Sequence, residues 1–313
     1  WYQRRVRDSL LVFNMKNQPI SEFVNFATAQ KWIPLMYKCE TCEVLCVQHK
    51  NKDSFRWCCK QCRKTVSIYY QTFFARSNMD VRTKAYLVQF CIADCTVTTA
   101  CQLLGIPTRH VYTVFQKVRQ TLINYCGNFM LEGVIEIDES LFGRHKYHRG
   151  RLRTSMKTWV LGLKQRGTNR CRFFVVDNDR SADKLVPLIV SCVKPGSIIY
   201  TDCWRGYQDL TEHNFIHMRV NHSIQFVNHG LDAHGLKIHT QSIEATWNAS
   251  KRFIRLMNGC HKRNIQEYLD FYSAKLLHDH NTDTLVNIVL NYKNQLPELP
   301  EFEDDEENVP LVE

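Results

Sequence analysis

The chain has 313 residues, 44% of them hydrophobic and 23% charged, which is the composition of a globular protein long enough for two or three domains. No apolar run reaches the roughly 18 residues that a membrane-spanning helix needs, so the sequence predicts no such helix. Eight of the 31 acidic residues lie in 297–313, where Lys and Arg are absent, so residues 1–296 hold 41 basic and 23 acidic residues and a net charge of +18. This charge favours a polyanionic partner, nucleic acid before an anionic membrane surface; a high pI without such a partner is the alternative. The acidic end is predicted to be a disordered tail.

Residues 1–35 are predicted to be helical, and residues 36–75 to form a zinc ribbon with short strands. Two CxxC pairs, separated by 16 residues, match the spacing of a structural zinc site with four thiolate ligands. The predicted ligands of one Zn²⁺ ion are Cys39, Cys42, Cys59 and Cys62. Cys58 is an alternative to Cys59 as the third ligand, and Cys46 is a further thiol in the same stretch.

Residues 76–130 are predicted to form a helix-turn-helix-like DNA-binding domain. A helix over 93–104, a turn at Gly105 and a second helix over 107–122 would enclose a small apolar core. Its predicted members are Leu103, Leu104, Ile106, Val111, Val114, Phe115 and Val118. The outer face of the second helix carries the residues predicted to contact DNA, among them Arg109, His110, Thr113 and Lys117. Ordinary helical hairpins share this pattern, so a plain packing unit is the alternative.

From 131 to 296 the pattern changes to strands that alternate with helices. Strands are predicted at 134–138, 158–164, 170–177, 197–202 and 218–222. Helices are predicted at 181–192 and 240–256. This order implies an α/β domain in which helices pack on a mixed sheet.

Three acidic residues in this region stand where they could meet. Asp138 and Asp202 each end a predicted strand, and Glu244 lies in the first turns of the last helix. Acids at strand ends and on an adjoining helix can converge at one edge of a sheet. Since their charges would repel one another, such a group favours divalent cations such as Mg²⁺ or Mn²⁺ and the chemistry of phosphodiesters. A single Asp at a strand end more often caps a loop or a helix than binds metal, and a Glu near a helix start is favoured by the helix dipole. Four other acids compete with these three: Glu136, Asp177, Asp179 and Asp232.

Basic residues accompany these acids along the chain. On the last helix Glu244, Lys251 and Arg255 share one face, where the two cations could contact phosphates. A stretch of basic residues that follows Asp138 includes Arg144, Lys146, Arg149 and Arg151. We expect both groups to bind the DNA backbone, although a solvated charged face is the simpler interpretation of the helix taken alone.

Several motifs follow one another in a fixed order within roughly 134–256. They are Ile135-Glu136-Ile137-Asp138-Glu139-Ser140, Phe142-Gly143-Arg144, Trp159-Val160-Leu161-Gly162, Pro195-Gly196-Ser197, Thr201-Asp202-Cys203-Trp204-Arg205-Gly206-Tyr207, Val220-Asn221-His222-Ser223 and His239-Thr240-Gln241-Ser242-Ile243-Glu244-Ala245-Thr246-Trp247 with Lys251. In this order they resemble the catalytic domain of Merlin-superfamily DNA transposases and their bacterial insertion-sequence relatives, which also carry an N-terminal zinc ribbon.

The resemblance implies an RNase H-like fold and a DDE triad in which Asp138 and Asp202 are the first two metal ligands and Glu244 is the third. Some bacterial relatives use an Asn before the Ile-Glu pair as the third residue; Gln241 occupies that position here, which favours Glu244. The implied activity is cut-and-paste transposition with two Mg²⁺ or Mn²⁺ ions. The implied partners are double-stranded DNA, as terminal inverted repeats and target, and further copies of the chain in a homodimer or larger assembly. The location would be the nucleus in a eukaryote, and otherwise the cytoplasm with the nucleoid.

Two other functions remain compatible with the sequence. The first is a host-domesticated DNA-binding protein that keeps the fold without transposition, against which the three intact acids argue. The second is an RNase H-like nuclease or resolvase that hydrolyses DNA but transfers no strand.

Overall fold

The computed structural model describes residues 18–51, 54–143, 158–177, 179–202, 205–219, 239–257 and 259–292. These residues form two compact units. One contains the described residues up to Tyr125 together with those from Asn281 onward, and the other those between Cys126 and His280. Among the described residues, the last helix belongs to the first unit.

The described part of the first unit begins with helix α1 (Ile20–Ala29), which buries Phe23, Val24 and Ala27. A three-stranded antiparallel sheet follows, formed by β1 (Val47–Asn51), β2 (Ser54–Cys58) and β3 (Thr65–Ser67) in that order. The sheet carries few buried side chains, since β1 is exposed throughout and β2 buries only Phe55 and Trp57. A small module of this kind lacks a large apolar core, so its stability must come from another source.

Four further helices of the first unit lie among the described residues. They are α2 (Val81–Ile92), α3 (Val97–Leu104), α4 (Thr108–Cys126) and α8 (Thr282–Asn291). Side chains cap three of them: Asp80 accepts hydrogen bonds from the first backbone N–H groups of α2, Thr96 from the N–H of Thr99 in α3, and Asn281 from that of Thr284 in α8. α8 packs on α2, which brings a distant part of the chain into this unit.

The helical hairpin α3–α4 has the predicted turn, and its limits differ from the prediction. Gly105 ends α3 in the left-handed conformation, with φ 65°. α3 begins at Val97 rather than at 93, because the Thr96 hydroxyl caps it there and Ala93 is the C-cap residue of α2. α4 continues to Cys126. Leu103, predicted to be in the core, is 60% exposed, whereas Val111, Val114, Phe115 and Val118 are buried as predicted.

The second unit is a mixed α/β structure built on a five-stranded sheet. Its strands are β4 (Val134–Phe142), β5 (Thr158–Gln165), β6 (Cys171–Asp177), β7 (Ile198–Thr201) and β8 (Ile216–Arg219). They lie in the order β6-β5-β4-β7-β8, with β4, β5 and β6 antiparallel and β7 and β8 parallel to β4. The mixed sheet expected from the order of elements is confirmed.

Helices cover both faces of this sheet. α5 (Ala182–Cys192) and a 3₁₀ helix (Arg205–His213) pack together, and α5 joins Ile135 and Ile137 of β4 in one apolar core. The opposite face is covered by α6 (Gln241–Leu256), which packs on β4 and β5, and by α7 (Ile265–Leu277), which packs on β6. Because side chains alternate along a strand, Glu136 and Asp138 of β4 face α6 while their apolar neighbours face α5.

Among the described residues, no helix is both long enough and apolar enough to span a membrane.

Candidate functional site

Two of the three predicted carboxylates lie on neighbouring parallel strands. β4 and β7 pair in parallel, with Val134 opposite Ile198 and Glu136 opposite Tyr200. Continued by two residues, this register places Asp138 level with Asp202, the residue that follows the end of β7. Strands therefore bring these acids side by side, although 63 residues of sequence separate them.

The third carboxylate reaches the same place on α6. Trp247, one turn after Glu244, packs on the sheet and donates a hydrogen bond from Nε1 to Oδ2 of Asp138 over 3.2 Å. The ring lies over Gly162, which is the β5 partner of Asp138 and which leaves room for it because it has no side chain. The hydroxyl of Thr240, at the start of the helix, donates to Oε1 of Glu244 over 3.3 Å. α6 thus holds Glu244 beside Asp138.

The electrostatics of Asp138 reflect this convergence. Burial is the main cause that raises its pKa from 3.8 to about 6, and the charges of Asp202 and Glu244 raise it further. The N–H groups of Glu139 and Trp247 act in the opposite direction. A partly buried carboxyl that feels two neighbouring carboxylates is the environment in which a cation would be stabilised.

A further acid, Glu139, lies on the opposite face of β4. Burial raises its pKa to about 7, the adjacent hydroxyl of Tyr207 opposes this, and the charge of Asp202 adds to it. Among the described residues, Oε1 of Glu139 and the Tyr207 hydroxyl are both buried without a hydrogen bond of good geometry. Asp138 and Glu139 are adjacent on β4 and therefore face opposite sides of the sheet. Each side thus carries one acid with a raised pKa, and the charge of Asp202 acts on both.

Three of the four competing acids lie among the described residues and have other partners. Glu136 is fully buried and paired with Arg166, whose Nε lies 2.8 Å from Oε1. Asp177 pairs with Lys262 over 2.9 Å, and Asp179 accepts hydrogen bonds from Ser181 at the start of α5. Asp232 lies outside the described residues.

The structure brings together the four predicted zinc ligands. The sulfur atoms of Cys39, Cys42, Cys59 and Cys62 all lie within 4.8 Å of one another. Cys58 is not part of the group; its thiol points to the carbonyl oxygen of Cys59, 3.9 Å away. Cys46 also stays outside the group, and burial raises the pKa of its thiol, with the charges of Cys59 and Cys39 adding to this. Cys59 is therefore the third member of the cluster, and the four thiols could hold one tetrahedral zinc ion.

Both CxxC pairs form the same tight turn. The carbonyl oxygen of Cys39 accepts from the N–H of Glu43, and that of Cys59 from the N–H of Arg63, over 2.8 and 2.9 Å. Backbone N–H groups also approach the sulfur atoms: those of Cys42 and Thr41 are the main cause that lowers the pKa of Cys39 to about 6. This favours the thiolate form that a metal requires.

Comparison with known proteins identifies the family. Residues 130–281 match the ISXO2-like transposase domain. Over 103 residues the chain is 38% identical to an uncharacterized transposase-like protein of Haemophilus influenzae, a match that covers 32% of this chain and 76% of that protein. The chain belongs to the ISXO2-like transposase family. The matched region contains Asp138, Asp202 and Glu244, and the transposase part of the resemblance is confirmed.

In this transposase-family domain, two of the residues predicted to contact DNA lie on α6. Lys251 is half-buried, with its ammonium group 5.4 Å from the ring centre of Phe142. Burial lowers its pKa, while the charge of Asp138 raises it, so the ammonium group lies near Asp138. Arg255 is exposed one turn further along. Four other predicted contacts lie outside the described residues: Arg144, Lys146, Arg149 and Arg151.

The other predicted DNA contacts lie on α4 of the first unit. Arg109, His110 and Thr113 are exposed near its N-terminus, where a recognition helix would meet bases. Lys117 instead turns toward Phe73: its ammonium group donates to the Phe73 carbonyl over 3.4 Å and lies 5.0 Å from the ring centre. Its position is therefore less open to a DNA groove than that of the other three.

Sequence reasoning did not assign a role to Gly162, Trp247, Glu139 or Arg166. Gly162, Glu139 and Trp247 lie within the ordered motifs, which by themselves indicate no role for them. A glycine inside a run of buried strand residues was the one available signal, because such a glycine often marks a close approach. Arg166, the partner of Glu136, lies just after the end of β5, where no strand or helix pattern indicates the direction of its side chain.

Proposed function

We propose that this protein is a DDE-type DNA transposase with Asp138, Asp202 and Glu244 as its catalytic carboxylates. The observation that carries the proposal is the convergence of these acids from β4, the end of β7 and α6, in a chain of the ISXO2-like transposase family. The strand order, with three antiparallel strands and two more that run parallel to the first, supports an RNase H-like fold. The ordered motifs support membership of the Merlin superfamily.

The three acids fit a divalent cation site. They offer carboxylate oxygens, which Mg²⁺ and Mn²⁺ prefer. Burial, and then the charges of Asp202 and Glu244, raise the pKa of Asp138, and a bound cation would offset both effects. Asp138, Asp202 and Glu244 would hold two such ions. When bound, the ions would supply a positive charge that polarises an attacking oxygen and stabilises a leaving one.

The chain's own residues would orient the reacting groups. Trp247 fixes one oxygen of Asp138, and Lys251 and Arg255 on α6 would bind the phosphate backbone next to the acids. In the first reaction a water oxygen bonds to phosphorus at the element end, the bond to the 3′ oxygen breaks, and a 3′-OH is freed. In the second, that hydroxyl bonds to a target phosphorus and displaces the target's own 3′ oxygen.

The first unit would recognise the DNA ends. We assign base contacts to the N-terminal part of α4 and a structural zinc ion to Cys39, Cys42, Cys59 and Cys62. Because two element ends must be joined, we include a homodimer or larger assembly in the proposal.

A cleavage assay tests the site assignment. The substrate is duplex DNA with the inverted repeats taken from the sequence that flanks the gene, in the presence of Mg²⁺. We expect Asp138→Asn, Asp202→Asn and Glu244→Gln each to reduce cleavage by at least a factor of about 10³, since each removes a metal ligand. Asp177→Asn is the matched control, because Asp177 is an acid on the same sheet that pairs with Lys262 instead. Retained cleavage in Asp138→Asn or Asp202→Asn would refute the assignment.

A stability measurement separates loss of chemistry from loss of fold. In the metal-free protein the pKa of Asp138 is higher in the folded than in the unfolded state, so ionisation of this carboxyl lowers the free energy of unfolding. The loss is absent below about pH 4, where the carboxyl is protonated in both states, and complete above about pH 6, where it is ionised in both. We therefore expect Asp138→Asn to raise the free energy of unfolding at pH 7 by about 1–3 kcal/mol, and to leave it unchanged near pH 4. Urea unfolding at the two pH values measures this. A variant that is less stable at pH 7 would contradict the electrostatic description of the site.

A further inference from the structure

The side chain of Glu136, on the central strand β4, forms hydrogen bonds with the first turn of α6. Its side chain is fully buried on β4, two residues before Asp138 and on the same face. Oε2 accepts hydrogen bonds from the backbone N–H groups of Ser242 and Ile243 over 2.7 and 3.0 Å. Oε1 accepts from the Ser242 hydroxyl over 3.0 Å and from Nε of Arg166 over 2.8 Å. Each carboxylate oxygen therefore has two donors.

These contacts replace the usual cap of the helix. The first N–H groups of a helix lack partners within it, and a side chain at the N-cap position normally accepts from them. The N-cap residue of α6, Thr240, makes no such bond. Glu136 supplies the acceptor from another strand, and its negative charge lies at the favourable end of the helix dipole. The Thr240 hydroxyl is then available to donate to Glu244.

Arg166 balances the charge of Glu136 and extends the link. A buried carboxylate without a cation would be strongly unfavourable, and Arg166 provides one. Its Nη2 donates to the carbonyl oxygen of His239, just before α6, over 2.8 Å. The guanidinium group also lies 4.6 Å from the ring centre of Tyr200 on β7. The pair therefore touches all three segments that carry the acids: β4, β7 and the start of α6.

We propose that Glu136 is a positioning residue that holds Glu244 in place for the cation site. It does so by fixing the first turn of α6, which carries Glu244, to the strand that carries Asp138, so that a cation binds without first ordering the start of the helix. The proposal rests on the cation site of the proposed function. Glu136 itself has no part in the ligand set, because all four of its bonds are made to other groups.

Glu136→Gln in the full chain tests this role. Gln is close to Glu in shape, but its amide nitrogen cannot accept a hydrogen bond and its charge is lost. In metal-free protein we expect hydrogen exchange of the Ser242, Ile243 and Glu244 amides to accelerate at least tenfold, with exchange in α5 unchanged. Binding of Mn²⁺, followed by the electron paramagnetic resonance signal of the free ion, should weaken at least fivefold. The Mg²⁺ concentration for half-maximal cleavage should rise by a similar factor, with a smaller fall in the rate at saturating Mg²⁺.

Two further variants separate positioning from stability. Ile189→Val removes a methyl group from the apolar core on the opposite face of the sheet, so it lowers stability without touching α6. It should leave Mn²⁺ affinity within twofold of the wild type. Glu136→Asp keeps the charge on a side chain one methylene shorter, and it should give an intermediate Mn²⁺ affinity; it is the test variant if Glu136→Gln does not fold.

The outcomes distinguish this inference from the proposed function. A folded Glu136→Gln variant with wild-type exchange and Mn²⁺ affinity would overturn the positioning role. Suppose that the wild-type chain binds Mn²⁺ through Asp138 and that Glu136→Gln weakens this binding, but that the wild type cleaves no repeat DNA. This result would support the positioning role and refute the proposed transposase activity. A wild-type chain whose Mn²⁺ binding is the same as that of Asp138→Asn would overturn both.

Discussion

At the scale of single residues, the candidate site depends on a glycine. Gly162 lies opposite Asp138 in the sheet, and the indole of Trp247 fills the space where a side chain would be. The same indole donates a hydrogen bond to Asp138. The position of the ring therefore sets both how closely α6 packs on the sheet and where Oδ2 of Asp138 lies. Close packing of this kind tolerates little added volume.

Gly162→Ala should therefore disturb both stability and the site. An added Cβ would lie 2.6 Å from Cη2 of Trp247 and closer still to Cζ2, a separation at which the ring must move. We expect the free energy of unfolding to fall by about 1–3 kcal/mol and Mg²⁺-dependent cleavage to fall with it, because the bond to Asp138 is lost. Urea unfolding and the cleavage assay measure the two effects.

A compensating variant makes this prediction specific. Trp247→Phe provides a smaller ring, so in the double variant Gly162→Ala/Trp247→Phe the loss of stability should be smaller than the sum of the two single losses. Additive losses would show that the alanine does not act through the tryptophan.

At the scale of elements, the cysteine module shows how local turns prepare a site. Its two CxxC turns have the same backbone hydrogen bonds, and each contains a residue with positive φ, 55° at Glu43 and 60° at Arg63. The turns fix the direction of two sulfur atoms each, and pairing of the strands brings the turns together. Since the sheet buries few side chains, a bound metal would contribute much of its stability.

Neighbouring cysteines give a matched test of the zinc site. Cys59 belongs to the cluster and Cys58 does not, although they adjoin in the sequence. We expect Cys59→Ser to lose the bound zinc and to unfold the module at lower temperature, and Cys58→Ser to retain about one zinc per chain. Elemental analysis and thermal unfolding measure this. Equal zinc contents in the two variants would contradict the assignment.

At the scale of the whole molecule, charge dominates what can be predicted about DNA binding. Residues 1–296 carry a net charge of +18, and exposed cations occur on α4 and on α6. A protein that contacts several phosphates releases counterions, so its affinity falls steeply as salt rises. The acidic residues of 297–313 oppose this charge but are confined to one end of the sequence.

We expect DNA affinity to fall by about 10³–10⁵ between 50 and 200 mM salt, as for six to ten phosphate contacts. Arg255→Ala should reduce the slope of log affinity against log salt by about one. Lys194→Ala is the control, since Lys194 forms an ion pair with Glu132 and should release no counterion. Titrations by fluorescence anisotropy give these slopes. A flat salt response would exclude a broad phosphate-binding surface.

The sequence by itself determined the strands of the second unit, the helices α5 and α6, and the candidate residues. Alternating apolar residues gave the strands and periodic ones gave α5 and α6 to within a few residues, because these patterns follow from local geometry. The CxxC spacing determined the cysteine cluster for the same reason. Helix limits depended on side-chain caps such as Thr96, and the sequence predicted these less well.

Only the tertiary structure decided which residues act together. The choice of Cys59 over Cys58 depended on strand pairing, and the exclusion of Glu136 from the candidate ligands depended on Arg166, thirty residues away. The place of α8 beside α2 could not be predicted either. Contacts between distant residues arise from the packing of whole elements, and a sequence pattern records the period of each element but not its partner.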